Sequence, residues 1–85
     1  MLGRILLWKK KLYDYRIEYD TKSLPKELQD IIKEMEELSD KGDNFTYDIV
    51  FDYFEIEAKG YVRRGILSFS DYNLLLRKYG WLLYE

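Results

Sequence analysis

The sequence predicts an all-α fold, a small three- to four-helix bundle built around one central helix. Three observations carry this. Tyr47, Val50, Phe51, Phe54, Ala58, Tyr61 and Val62 recur at the i, i+3, i+4, i+7 spacing of one helical face. Leu28, Ile31, Ile32, Met35 and Leu38 give the same period inside an otherwise charged stretch. Between these runs stand helix punctuators: Pro25, Gly42, Gly65, Ser68 and Gly80. With 85 residues there is room for one hydrophobic core, so residues 1–85 are expected to form a single helical domain.

The first twenty residues admit two readings. Ile5, Trp8, Leu12, Tyr15 and Tyr19 are spaced 3-4-3-4, which predicts a helix over 4–19. Tyr13, Tyr15, Ile17 and Tyr19 also alternate with Asp14, Arg16, Glu18 and Asp20, the pattern of a strand. A short strand at 12–19 would make the fold α+β. The helix is preferred because a lone strand needs a partner, and the chain offers only 65–69 or 80–84. The beginning does not read as a signal peptide: Arg4 interrupts the apolar run, and Lys9, Lys10 and Lys11 follow it. Nor does it reach the roughly 20 apolar residues that a membrane span requires. A cytoplasmic location is therefore expected.

Pro25 opens the next helix, over 25–41. It sits where a missing N–H costs nothing, and Glu27 in the first turn favours the positive end of the helix. Gly42 is expected to end it as a left-handed cap. Asp43 or Asn44 then caps the central helix, over 44–64. A second apolar row on this helix, Phe45, Ile49, Tyr53 and Ile56, implies that several neighbours cover it. Its polar stripe runs Asp48, Asp52, Glu55, Lys59, Arg63, with acids first and bases last, as the helix dipole prefers. Gly60 either admits a close neighbour or ends the helix early. Ser68 and Asp71 form the S-x-x-D pattern that opens a last helix, over 69–79. Its inner face is read as Phe69, Tyr72, Leu75, Leu76 and Tyr79. Trp81–Tyr84 is an apolar tail expected to fold back on the bundle or to meet a partner.

Composition narrows the chemistry. There is no Cys and no His, which removes thiolates, disulfides and the usual neutral-pH general base. Starting at Asp40, an EF-hand loop would need an acid at Gly42 and Glu at Phe51, so that pattern fails. No Walker A or G-x-G-x-x-G sequence is present. The expected catalytic, cofactor-binding and metal-ligating residues are none, and the chain is read as a non-enzyme.

Charge is segregated. Residues 1–26 carry +4, residues 27–57 carry −9 and residues 58–85 carry +3, which gives the net −2. The acidic middle makes Glu27, Asp30, Glu34, Glu37, Asp48, Asp52 and Glu55 a candidate partner-binding face. Three functions fit. The first is a small protein-binding module or accessory factor, which a homodimer would also satisfy. The second is an acidic inhibitor or immunity-type protein that blocks a basic nucleic-acid-handling partner. The third, a weak nucleic-acid binder using Lys9–Lys11, Arg63–Arg64 and Arg77–Lys78, sits poorly with a pI near 5.2.

Overall fold

Three α-helices, α1 (Lys26–Lys41), α2 (Asn44–Arg63) and α3 (Phe69–Tyr79), follow a 3₁₀ turn at Thr21–Ser23 in the computed structural model, which describes residues 11–80. No strand occurs among the described residues. The fold is a small all-α bundle, and α2 is the helix that packs extensively against both others.

Each helix begins and ends where its side chains supply the missing hydrogen bonds. Asp43 Oδ1 accepts the Thr46 amide at 3.1 Å and caps α2. Ser68 Oγ accepts the Asp71 amide at 3.0 Å and caps α3. Gly42 ends α1 at φ 72°, a left-handed conformation that glycine adopts without a Cβ clash. Pro25 contributes no side-chain cap to α1; the Gln29 amide donates to the Leu24 carbonyl at 2.7 Å, which ties the preceding turn to the helix without satisfying its first-turn amides. Gly60 does not break α2, which runs through it to Arg63.

The helices form two antiparallel contacts. The Tyr61 hydroxyl donates to Glu27 Oε1 at 2.8 Å, which sets the end of α2 beside the start of α1. The Tyr47 hydroxyl donates to the Tyr79 carbonyl at 2.7 Å, which sets the end of α3 beside the start of α2. Between them lies one core of Leu12, Leu24, Leu28, Ile31, Ile32, Met35, Tyr47, Phe51, Phe54, Ala58, Leu67, Tyr72, Leu75, Leu76 and Tyr79. The expected faces of α1 and α2 supply most of it.

Two expectations fail. Residues 11–19 form neither the helix expected over 4–19 nor the alternative strand; positions 4–10 lie outside the described residues. The amides of this segment are spent elsewhere. Leu12 N–H donates to Ser39 Oγ at 2.7 Å, and Asp14 N–H donates to the Lys78 carbonyl at 2.7 Å. Asp14 then closes its own turn, accepting the Arg16 amide on Oδ1 at 3.1 Å and the Ile17 amide on its carbonyl at 3.2 Å. A short acidic side chain that satisfies nearby amides competes directly with helix formation. The second failure is Phe69, read as inward-facing, which is 65% exposed and meets the ring of Tyr72 at 6.0 Å.

Ser39 is fully buried, and the Leu12 amide depends on it. Ser39→Ala leaves that buried donor without a partner and is expected to cost about 1–3 kcal/mol in urea unfolding. Ile32→Asp places an unpaired charge in the core and is expected to abolish cooperative melting, whereas Glu34→Lys, on the exposed face of α1, should leave the melting curve almost unchanged. An unaltered curve for Ile32→Asp would refute the inward orientation of α1.

Candidate functional site

The core face of α2 leaves its opposite side uncovered. Tyr47, Phe51 and Ala58 are buried, and Phe45, Ile49 and Ile56 each precede one of them by two positions. Two positions turn a helix by about 200°, so this second row points away from the bundle. Phe45 is 77% exposed, Ile49 55%, Ile56 67% and Tyr53 49%. The neighbours expected to cover this row are not found among the described residues. The polar stripe of Asp48, Asp52, Glu55, Lys59 and Arg63 runs beside the row and is exposed except at Glu55, which is half-buried. Four large apolar side chains in one line are more than the scattered exposed hydrophobics of an ordinary surface.

The seven acids read from the sequence divide between two helices. Glu27, Asp30, Glu34 and Glu37 are exposed on the outer side of α1. Asp48 and Asp52 are exposed on α2, with Glu55 half-buried. Two of the seven are already engaged within the chain: Glu27 accepts from Tyr61, and Asp30 pairs with Lys26 at 2.9 Å. Of the other acids in the middle segment, Asp43 caps α2, Asp40 pairs with Lys11 at 3.2 Å and Glu36 accepts the Tyr79 hydroxyl at 3.1 Å. Much of the −9 therefore serves local structure.

Three members of the basic clusters, Lys11, Arg64 and Lys78, are engaged within the chain. Lys78, read as an exposed cation, is only 8% exposed. Its ammonium donates to the carbonyls of Ile17 and, at 3.4 Å, Asp14, and lies over the rings of Tyr13 and Tyr79 at 5.4 and 5.5 Å. Arg64 stacks on Tyr61 with its guanidinium 4.4 Å from the ring centre. Lys9 and Lys10 lie outside the described residues, as does the apolar tail Trp81–Tyr84.

Two buried polar residues were missed in the sequence, although a signal for each was there. Ser39 continues Leu28, Ile32 and Met35 at i+11, a hydroxyl on an apolar face. Lys78 lies three positions after Leu75 and beside Tyr79, a cation on the inner side of α3. Both are structural, since every buried side-chain N or O among the described residues has a hydrogen-bond partner. Among those residues no cluster of three or more acidic side chains is placed to hold a metal ion, and no helix is long and apolar enough to cross a membrane.

Burial sets the titration of this network. It holds the Tyr47 and Tyr79 hydroxyls protonated well above the ordinary phenol range, with Glu36 adding to the effect. It pushes the Lys78 ammonium down, against the opposing pull of Glu36, Asp14 and Glu18. As pH rises through about 10, unfolded tyrosine loses its proton while the folded protein keeps both. The folded state then binds more protons, so stability falls by up to about 1.4 kcal/mol per pH unit for each tyrosine. Lys78 acts in the other direction, because below the ordinary lysine value the unfolded chain holds the extra proton; its contribution stops growing once unfolded lysine is also neutral. Two tyrosines outweigh one lysine above that point. Urea unfolding is expected to show falling stability above about pH 10, with a shallower fall in Tyr47→Phe. A pH-independent stability there would mean that these hydroxyls ionise in the folded protein.

No protein-family model, curated protein or solved structure matches this chain, so its function has to be read from these side chains.

Proposed function

We propose that the chain is a small non-enzymatic protein-binding module, active in a reducing compartment such as the cytoplasm, and that it binds through the outer row of α2. The observation that carries this is the exposure of Phe45, Ile49, Tyr53 and Ile56 on the side of the helix opposite its core face. An apolar row edged by charges has the make-up of a protein contact, with an apolar centre and a polar rim. The row also costs the fold little to change, since none of its members belongs to the buried core.

The acidic-inhibitor reading has less support. Five of the acids in residues 27–57 are engaged with Tyr61, Lys26, Tyr79, Lys11 or the start of α2. The nucleic-acid reading loses Lys78 to the interior, since a buried ammonium bonded to two carbonyls is not available to phosphate.

Capture of partners by the tagged full-length chain from lysate of its own source, with and without nuclease, tests all three. Ile49→Ser/Ile56→Ser is expected to abolish nuclease-resistant capture while leaving thermal stability within about 1 kcal/mol, as for exposed positions generally. Glu34→Lys/Glu37→Lys should leave capture intact. The reverse pattern would move the acidic face to first place, and loss of every partner on nuclease treatment would favour nucleic acid.

A further inference from the structure

We infer that the outer row of α2 is an interface for a second copy of this chain, in which two α2 helices lie antiparallel across a two-fold axis near positions 52 and 53. This rests on the row being a protein-binding surface, and it names the occupant.

Charge gives the direction. Asp48, Asp52, Lys59 and Arg63 fall at i, i+4, i+11 and i+15, so they share one edge of the row. The acids occupy its first half and the bases its second. An antiparallel second copy lays the acidic half of each edge against the basic half of the other, because the two-fold axis keeps each edge on its own side. In a parallel two-fold pair the two charged edges would lie on opposite sides of the seam and would not meet, so only the antiparallel pair brings them together. The same distribution that suits the helix dipole within one chain is self-complementary between two.

The apolar residues fit one register. An axis midway between positions 52 and 53 sets Ile49 opposite Ile56 of the second copy, and Phe45 opposite Gly60 of the second copy. Gly60 lies four positions after Ile56 and therefore on the same face. A Cβ built on Gly60 would meet nothing within 4 Å, so no close packing among the described residues requires glycine there. The space it leaves lies where this register brings the aromatic ring of Phe45. Asp52 and Tyr53 straddle the axis itself: the register brings Asp48 beside Lys59 of the second copy on each side of the axis, and the two Asp52 carboxylates at the centre oppose the contact, which keeps it weak. A closed two-fold pair of this kind uses up the row on both copies and does not propagate into a filament.

The helix has 20 residues and is about 30 Å long. A contact confined to one helix per copy falls at the small end of specific interfaces, below about 1,200 Å² in total. The dimer is therefore expected to be weak and concentration-dependent.

Sedimentation equilibrium of the full chain provides the test, with two exposed charge-reversed variants whose fold is checked by circular dichroism. Wild type is expected to dimerise reversibly. Asp48→Lys/Asp52→Lys and Lys59→Glu/Arg63→Glu, each alone, should dimerise at least about tenfold more weakly, since each sets like charges opposite one another. Mixed in equal amounts they should recover a mixed dimer near wild-type strength, because every edge then meets its opposite. A wild type that stays monomeric at roughly 1 mM overturns the second copy as occupant. So does undiminished dimerisation of either variant, or a mixture that fails to recover. A monomeric wild type leaves the row open to a different protein; the protein-binding reading itself fails if Ile49→Ser/Ile56→Ser leaves lysate capture unchanged or if nuclease removes every partner.

Discussion

The side chain of Tyr79 is the point at which the separate parts of this small bundle meet. It is fully buried near the end of α3. Its ring meets Phe54 of α2 at 6.1 Å edge-on and Tyr13 of the preceding segment at 5.3 Å. Its hydroxyl donates to Glu36 of α1, and its carbonyl accepts from Tyr47 at the start of α2. A domain of this size buries only about 60% of its extended surface and has little stability to spare. One large aromatic that reaches all three neighbours supplies both buried area and orientation. The next residue back, Lys78, continues the same task. Its stem lies in the core, and its ammonium gathers the carbonyls of Asp14 and Ile17, so that the 12–17 segment is held without secondary structure of its own.

That arrangement explains which parts of the fold were legible. The helices over 26–41, 44–63 and 69–79 follow from period, caps and glycine placement, all of which are local. Leu28, Ile32, Met35, Phe51 and Phe54 lie in the core because their spacing leaves one consistent face. The segment 11–19 was not legible, because its apolar residues fit two periods and its outcome depends on partners 27 and 64 positions away. The hydroxyl of Ser39 and the carbonyl of Lys78 claim amides that a helix would have used. Local pattern has no access to such partners.

The candidate site was half legible, for a related reason. Periodicity shows that Phe45, Ile49, Tyr53 and Ile56 share a face, but it does not show whether anything covers that face. Three helices with α2 in the middle supply cover on one side only. The acidic residues were legible as a composition and misleading as a surface, since an acid engaged by Tyr61, Lys26 or Lys11 looks the same in sequence as one facing solvent.

Gly60 makes the clearest separation between what the fold needs and what it does not. Glycine inside a helix costs about 1 kcal/mol relative to alanine. Gly42 and Gly65 lie outside the helices, at chain reversals whose positive φ values call for glycine. Gly60 has helical backbone and open space around its missing Cβ, so neither conformation nor packing among the described residues accounts for it. The exposed row has the same character, because apolar side chains that contribute nothing to the core add only the risk of misassociation. Both features lie on one face of one helix, beside a charge stripe that changes sign halfway along. The proposed contact between two copies would account for the three together, whereas the packing of the described residues accounts for none of them.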